Sequence, residues 1–289
     1  MCTRQITFYT LAKLKSYTKT AQKLNITQPA VTQHIKYLED LYGVTLIQRN
    51  GRQIFLTEEG KLLYEHIDQI LTMERKFIRT LNNQSSIIKR YRLGATKTIG
   101  SYIIPDLLGK YKISFPNHEV ILEVSNTEHI LNRLDEGKFD LTLVEGNFKK
   151  EKYDSILFKE DELVPVFSSD HPLCKKREIK IEDLLKENLI IREKGSGTRA
   201  IIENDLKEKG YDYNIFMEIG DITAIKSLVK WNLGYTFLSR EAIKEEVKEG
   251  SLKVIEMKEF MMKRAFYFIW RKNEKNSFIE DFIQFAKKI

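Results

Sequence analysis

One stretch of the chain combines the residue types that bind small anions in proteins. It is the run Gly195-Ser196-Gly197-Thr198-Arg199, which follows a short apolar segment. The glycines allow successive backbone N–H groups to point at one ligand, the hydroxyls donate hydrogen bonds, and Arg199 supplies a positive charge. We therefore expect the run to contact a small anionic ligand.

Three further hydroxyl-bearing stretches also follow an apolar segment and precede a helical pattern. They are Ala95–Gly100 (with Thr96, Lys97 and Thr98), Ser125-Asn126-Thr127 and Asp221-Ile222-Thr223. Ligands collect where parallel strands end and helices begin, so these stretches are candidates for the same site. The alternative for Thr127 and Thr223 is an ordinary helix N-cap.

Enzyme chemistry finds little support in the sequence. The Gly195-Ser196-Gly197 segment has neither the Gly-Lys-Ser/Thr ending of a phosphate loop nor the spacing of a hydrolase nucleophile. The only cysteines, Cys2 and Cys174, are too far apart in sequence to suggest a zinc site or a disulfide framework. The histidines are scattered, at positions 34, 66, 118, 129 and 171. We therefore predict no catalytic residue, no metal and no cofactor.

A second group of polar residues, in the N-terminal third, suits nucleic acid. One face of a predicted helix presents Gln28, Thr32, Gln33 and Lys36, with no carboxylate before Glu39. A side-chain amide such as that of Gln33 can pair bidentately with adenine, and the others can hold phosphates or base edges. The alternative is the solvated face of an ordinary three-helix bundle.

The charge distribution points the same way. The formal net charge is +7, and residues 1–90 hold 14 Lys and Arg against 7 Asp and Glu, so the whole excess lies there. Such a basic segment joined to a neutral one suggests a polyanion-binding module with a separate partner domain. A merely solvated basic face is the alternative.

Three short helices must position the N-terminal polar face. The first is marked by Ile6, Phe8, Leu11, Ala12 and Leu14, and the second by Ala21 and Leu24. After a turn at Asn25–Thr27, Thr27 can cap a third helix with Pro29 in its first turn. The buried face of the third helix is predicted to hold Ala30, Val31, Ile35, Leu38 and Leu41. The spacing predicts a helix-turn-helix.

A hairpin and a long helix are predicted next. Residues 46–57 predict two strands around an Asn50-Gly51 turn, which makes the module a winged helix with Arg49 and Arg52 near the DNA backbone or minor groove. Solvated arginines are the alternative. Thr57 can cap the long helix. Its apolar residues Leu63, Ile70 and Phe77 fall at heptad spacing, with Ile67 and Leu81 beside them. This seam favours dimerisation, although packing on its own domain is the alternative.

The remaining two-thirds alternate short strands with helices, which predicts an α/β fold with a mostly parallel sheet. The strand-like runs are 91–95, 120–124, 139–144, 163–167, 188–192, 215–218, 234–238 and 266–270. Helices are expected near 100–112, 127–136, 198–209, 222–232 and 239–249. The length fits two lobes, with crossovers near Asp161 and Ala265.

The N-terminal third resembles the LysR-type transcriptional regulators. The resemblance is carried by the unbroken run from Ser16 to Thr32 (SYTKTAQKLNITQPAVT), and continues through Leu38–Val44, Leu46, Arg49 and Leu56–Gly60. One departure is Ile47, where the family usually has Phe. This is a core exchange that leaves DNA binding unaffected. The family implies a winged helix, a dimerising linker helix, and a two-lobed effector domain like a type II periplasmic binding protein.

The resemblance also implies boundaries and site residues. We expect a DNA-binding domain at 1–58, a linker helix and hinge at 59–89, and an effector domain at 90–289, with lobe I at about 90–161 and 266–289 and lobe II at about 162–265. In the family, the positions of Thr96, Thr98, Ser196, Thr198 and Thr223 commonly line the effector cleft. Glu145 matches a family segment too, but a carboxylate would repel an anion, so it is left out. The expected DNA contacts are Gln28, Pro29, Thr32, Gln33, Lys36, Arg49 and Arg52. The expected effector contacts are Thr96, Lys97, Thr98, Thr127, Ser196, Gly197, Thr198, Arg199 and Thr223.

The sequence thus predicts a sequence-specific regulator of transcription that binds double-stranded DNA and a small, anionic effector. Homodimers or homotetramers are expected, and RNA polymerase is a further candidate partner. The first residues lack the apolar core of a signal peptide, and the longest apolar runs, such as 265–270, are too short to cross a membrane, so we expect a soluble, cytoplasmic protein. The alternatives are a solute-binding protein or a small-molecule enzyme carrying a basic N-terminal module.

Overall fold

The computed structural model describes residues 2–50, 53–84, 88–176, 178–257 and 262–289. Contacts divide the chain into two compact units, residues 1–85 and residues 86–289. Each unit has its own hydrophobic core, as expected of domains that fold separately. No helix among the described residues is long and apolar enough to span a bilayer.

The first unit is built from helices and one hairpin. Its elements are α1 (Thr3–Leu14), α2 (Tyr17–Leu24), α3 (Gln28–Tyr42), β1 (Ile47–Asn50), β2 (Gln53–Leu56) and α4 (Glu58–Gln84). The predicted cap of α3 is confirmed, because the Thr27 hydroxyl accepts a hydrogen bond from the Ala30 amide at 3.3 Å. Asn25 ends α2 in the left-handed conformation, with φ of 53°. This sharp reversal between α2 and α3 completes the helix-turn-helix.

The hairpin and the start of α4 are held together by Thr57. Its hydroxyl donates to the Thr45 carbonyl at 2.7 Å and accepts from the Gly60 amide at 2.9 Å, so the predicted cap of α4 is confirmed. Gly60 is required because a Cβ there would lie 2.1 Å from the Leu46 carbonyl oxygen. Asn50 pairs with Gln53 and belongs to β1, whereas Gly51 of the predicted Asn50-Gly51 turn lies outside the described residues.

The core of the first unit joins the three short helices, the hairpin and the first half of α4. Fully or nearly fully buried residues include Phe8, Leu11, Val31, Leu38 and Ile67. Two residues expected on buried faces are instead exposed: 58% of Leu41 and 37% of Ile6 are accessible. They lie at the margins of their apolar stripes, where a helical periodicity no longer distinguishes core from surface.

The second unit alternates strands and helices. Its strands are β3 (Lys89–Thr96), β4 (His118–Ser125), β5 (Leu141–Glu145), β6 (Tyr153–Ser168), β7 (Leu189–Arg192), β8 (Ile215–Ile219), β9 (Thr236–Ser239), β10 (Leu252–Val254) and β11 (Met262–Arg271). Its α-helices are α5 (Lys97–Tyr102), α6 (Ile104–Ser114), α7 (Thr127–Asp135), α8 (Ile181–Leu185), α9 (Gly197–Glu208), α10 (Ile222–Lys230), α11 (Lys244–Lys248) and α12 (Ser277–Ala286).

Two long strands join the lobes of this unit. β6 and β11 pair antiparallel along their length, and the expected crossover points lie beside each other there, with Asp161 opposite Arg264 and Glu160 opposite Ala265. Around them the sheet has the order β10-β6-β11-β5-β3-β4, with β9 also on β6. The expectation of a mostly parallel sheet is wrong, because among the described strands of this sheet only the β3–β4 and β3–β5 pairs are parallel.

The apolar residues form separate cores on the two sides of the crossover. One core packs α5, α6 and α12 against β3, β5 and β11, and includes Leu93, Tyr111, Phe268 and Phe282. The other surrounds β7 and β9 and includes Phe167, Ile191, Leu206 and Phe237. The polar ends of strands β3, β5 and β7 and the starts of α5 and α9 come together between these cores, as the following contacts show.

Candidate DNA-binding face and effector cleft

The predicted recognition face lies on α3 and is open to solvent. Gln28, Pro29, Thr32, Gln33 and Lys36 are all exposed. Gln28 accepts a hydrogen bond from Thr18 of α2 at 3.4 Å, which links the two helices at this face. An exposed row of amide, hydroxyl and ammonium groups on one helix matches the donors and acceptors of a DNA major groove.

Partly buried hydrogen bonds fix the orientation of α3. The Thr7 hydroxyl lies 2.9 Å from His34 Nδ1, which joins α1 to the inner side of α3. A carboxylate oxygen of Glu39 accepts from the backbone amides of Leu46 and Ile47, at 2.8 and 3.3 Å, which joins α3 to the wing. The Glu39 carboxylate therefore faces the hairpin backbone.

The wing contacts cannot be placed in the same way. The Arg49 side chain and all of Arg52 lie outside the described residues. Strands β1 and β2 are described, and Arg49 of β1 pairs with Ile54 of β2 in the backbone register. The role of both arginines on the DNA backbone therefore stays a prediction.

A buried polar cluster lies where the two lobes of the second unit meet, and we call it the junction cluster. Its members are Thr96, Glu145, Asp161, Thr198 and Arg264, whose side chains come from β3, β5, β6, α9 and β11. Thr96, Glu145 and Thr198 are at most 2% exposed, and so are the side chains of Asp161 and Arg264. Such a concentration of buried polar groups is costly unless each is paired.

Arg264 is the centre of the junction cluster. Its Nε donates to Asp161 Oδ2 at 2.6 Å and its Nη1 donates to the Thr198 hydroxyl at 2.7 Å. Its Nη2 is buried and has no hydrogen-bond partner among the described residues. A buried guanidinium N–H without an acceptor is expensive, so this atom is a place for an oxygen of a ligand.

Glu145 is the least compensated member of the junction cluster. Its carboxylate accepts a hydrogen bond from the Thr96 hydroxyl. The charged partner described for it is Arg264, whose Nη1 is 3.9 Å from Glu145 Oε1 and is already hydrogen-bonded to Thr198. Sequence reasoning left Glu145 out and did not consider Arg264. The available signal for Arg264 was its position between Met262 and Phe266 on the buried side of β11.

The start of α9 packs against the end of β5 with little room. The Gly197 amide donates to the Thr127 hydroxyl at 3.1 Å, and that hydroxyl donates to the Glu145 carbonyl at 3.3 Å. A Cβ on Gly197 would lie 2.5 Å from the Glu145 carbonyl oxygen. Ser196 caps α9 by accepting from the Arg199 amide at 3.4 Å. Thr127, Ser196 and Gly197 also line a depression of about 270 Å³.

Lys97 joins the lobes at the edge of the junction cluster. Its ammonium donates to the Gly220 carbonyl and lies 3.4 Å from Glu193 Oε1. Arg192 binds the same carboxylate through two hydrogen bonds, at 2.7 and 3.1 Å. Burial alone would raise the pKa of the Glu193 carboxyl, but Arg192 and Lys97 outweigh burial and hold the pKa below its ordinary value. Glu193 is therefore ionised and paired.

Two further predicted effector contacts, Arg199 and Thr223, lie in different surroundings. The guanidinium of Arg199 faces its own lobe, where it pairs with Glu203 at 2.9 Å and Glu218 at 2.5 Å. Although Arg199 also borders the depression, its charge is already satisfied, and Arg264 is the guanidinium at the junction. Thr223 is exposed in the first turn of α10, while Thr98 is 2% exposed and adjoins Lys97 in α5.

The described residues offer no group of three His, Cys, Asp or Glu side chains that could hold a metal ion. The buried polar groups of the junction cluster are instead hydroxyls, carboxylates and one guanidinium, which suits hydrogen-bonded recognition of an organic or inorganic ligand.

Comparison with protein families accounts for both units. Residues 4–61 match the model of the bacterial regulatory helix-turn-helix protein of the lysR family, and residues 85–288 match that of the LysR substrate binding domain. The transcriptional activator CmpR of Synechocystis sp. is 33% identical over 272 residues, which cover 94% of this chain and 90% of CmpR.

Solved structures show the same architecture. The regulatory domain of CcmR from Synechocystis PCC6803, in complex with 2-PG, is 30% identical to this chain and gives a TM-score of 0.64. The matched region covers 69% of this chain and 96% of the CcmR chain. OxyR of Corynebacterium glutamicum is 22% identical and gives a TM-score of 0.62, with 99% of this chain and 91% of OxyR covered. These likenesses confirm the predicted winged helix followed by a two-lobed α/β effector domain.

Proposed function

The chain belongs to the LysR family of transcriptional regulators. We propose that one of its two polar sites binds DNA and that the other binds the effector. The protein is a DNA-binding regulator controlled by a small-molecule effector and not an enzyme, and the related CmpR is a transcriptional activator. The proposal concerns which residues read DNA, where the effector binds and how the protein assembles in the cytoplasm.

We propose that α3 reads base edges in the major groove. The exposed amide of Gln33 pairs with a base, while Gln28, Thr32 and Lys36 contact bases or phosphates and Pro29 packs beside them. Arg49 and Arg52 hold the sugar-phosphate backbone from the wing. The observation that carries this proposal is the row of exposed polar side chains on a helix whose inner face is fixed by buried contacts.

The effector binds at the junction of the two lobes. Thr96, Lys97 and Thr98 contact it from one lobe, and Ser196, Gly197, Thr198 and Thr127 contact it at the start of α9. Arg264 takes the role expected of Arg199, because its Nη2 is buried without an acceptor among the described residues. An effector with an oxygen acceptor, such as a small anion, satisfies that atom. The likeness to the CcmR domain bound to 2-PG supports a small ligand in this unit.

Dimerisation through α4 would bring two DNA-binding units together. Its second half exposes Met73, Phe77, Ile78 and Leu81, each at least 48% accessible. A stripe of large apolar side chains on a long helix is costly in water and stabilises an oligomer when a second copy covers it. The stripe supports a proposed homodimer, or a homotetramer made of two such dimers, and RNA polymerase is a further candidate partner of the assembly.

A salt series tests the DNA-binding proposal. The affinity of the full chain is measured for DNA from its own upstream region and for random DNA of equal length. We expect a specific-to-random ratio of roughly 10³ or more, and a steep loss of affinity with salt. Weak, equal and salt-sensitive binding to both DNAs would mean that the basic unit only adheres to polyanions.

A further inference from the structure

Glu145 places in the proposed effector site a buried carboxylate with one described hydrogen-bond donor and a distant charged partner. The junction cluster holds two carboxylates, Glu145 and Asp161, and one guanidinium, Arg264. Asp161 Oδ2 accepts a hydrogen bond from Arg264 Nε at 2.6 Å, whereas Glu145 Oε1 lies 3.9 Å from Arg264 Nη1. The Thr96 hydroxyl donates a hydrogen bond to the Glu145 carboxylate. A carboxylate that is 2% exposed needs further donors, because it has lost most of its water.

The junction cluster also holds a buried hydrogen-bond donor that lacks an acceptor in the described part of the chain. Arg264 Nη2 is buried and lacks an acceptor within the described residues. Nη2 and Nη1 share one guanidinium carbon, and Nη1 is the atom that lies near Glu145. A free donor and an undersupplied acceptor therefore adjoin each other between the lobes.

We propose that Glu145 determines which effectors the site accepts: the bound ligand must present an oxygen acceptor to Arg264 and a hydrogen-bond donor to Glu145. This inference rests on the proposed location of the effector. An oxyanion that carries a proton meets both demands, as does any small ligand with an N–H or O–H group beside its oxygen acceptor. A fully deprotonated oxyanion satisfies Arg264 and leaves Glu145 facing negative charge.

The discrimination comes from the cost of an unpaired buried group. Sites built to exchange hydrogen bonds reject close analogues that lack the needed atom, because a buried partner is then left unsatisfied. Inorganic phosphate and sulfate form a suitable pair of probes. They are similar in size and shape, but at neutral pH phosphate bears a proton and sulfate bears none.

The test compares sulfate and phosphate binding by the full chain and by its Glu145→Gln variant. The substituted amide keeps the shape of the side chain, removes the charge and supplies a donor. Titration calorimetry at constant ionic strength should show sulfate affinity rising at least tenfold in the variant, with a smaller gain for phosphate. A Glu249→Gln variant removes the same charge from an exposed position and should bind both anions as the wild type does.

Three outcomes would overturn the inference. They are no gain in sulfate affinity in Glu145→Gln, an equal gain for both anions, and an equal gain in the Glu249→Gln variant. Adding Arg264→Lys to Glu145→Gln should abolish the gained sulfate binding, since it removes the planar donor pair. Binding of upstream DNA by the wild-type protein is measured separately, so failure of this inference is distinguishable from failure of the proposed function.

Discussion

Gln33 is the residue on which the proposed reading of sequence depends most. It is exposed on α3, and its amide can donate to and accept from the same base. Lys36 lies one turn further along the same helix, but an ammonium on a phosphate carries no sequence information. The two side chains should therefore contribute to DNA binding in different ways.

Replacing Gln33 by Ala should relax sequence preference. We expect affinity for upstream DNA to fall by about 1–3 kcal/mol while affinity for random DNA changes little. Lys36→Ala is the matched control and should weaken both DNAs alike and reduce the salt dependence. Fluorescence anisotropy with both DNAs measures these effects. Equal losses on both DNAs for Gln33→Ala would remove its base-reading role.

His118 makes the stability of the second unit dependent on pH. Burial, with a contribution from Lys89, lowers its pKa below the ordinary value of 6.5, and its Nδ1 lies 2.8 Å from the Tyr111 hydroxyl. Because folding favours the neutral imidazole, its contribution to stability is complete above pH 6.5 and is lost as the pH falls through the lowered pKa.

The His118→Asn variant, which keeps a polar partner for Tyr111 but cannot be protonated, should lose less stability between pH 7.5 and pH 5 than the wild type. Tryptophan fluorescence can follow the unfolding of this unit alone, since both tryptophans, Trp231 and Trp270, lie in residues 86–289. Parallel stability curves for the two proteins would show that His118 contributes nothing to the pH dependence.

At the scale of elements, the two halves of α4 have different surroundings. Ile67, in the first half, is fully buried against the winged helix, whereas 61% of Phe77, in the second half, is exposed. Both belong to the apolar pattern read from the sequence, so periodicity alone could not separate domain packing from dimerisation. The buried first half of α4 packs on its own domain. The exposed second half is left available for a partner.

Substitutions in the two halves of α4 should therefore have separable effects. Ile67→Ala removes a core side chain and should lower the free energy of unfolding of the first unit by about 2–5 kcal/mol. Phe77→Ala should leave that free energy nearly unchanged and weaken self-association. Chemical denaturation followed by circular dichroism and sedimentation velocity measure the two quantities. Unchanged association in Phe77→Ala would argue against the α4 stripe as the dimer interface.

The sequence predicted most helices and strands because their signals are local. Thr27 and Thr57 are caps, and the apolar runs of β5, β7 and β9 are short and fully buried. The first half of β6 was missed, since residues 153–162 include five charged side chains and resemble a loop. That half pairs with β11, so its strand conformation depends on a partner about 100 residues away, which local patterns do not reveal.

The two candidate sites also differ in how well local sequence patterns predicted them. The recognition face lies on one helix, so spacing in the sequence was sufficient to find it. The junction cluster draws its five side chains from five elements, and only Thr96 and Thr198, which lie where a strand leads into a helix, were found. Arg199 was chosen for its motif although its charge is used within its own lobe, and Arg264 was missed because its neighbours come from distant segments.

For the molecule as a whole, we propose that the lobe junction controls how the protein binds DNA. The basic excess lies in residues 1–90 and the junction cluster lies in residues 86–289, so any control must be transmitted between different parts of the chain. An effector can do so only if it favours one arrangement of the lobes over another.

The most direct test is to perturb the junction and measure DNA binding. Arg264→Lys keeps the charge but loses the hydrogen-bond geometry that joins Asp161 to Thr198. With the variant shown by tryptophan fluorescence to be folded, we predict a change of roughly fivefold or more in affinity for upstream DNA, or an altered footprint on it. The same affinity and the same footprint as the wild type would contradict the account.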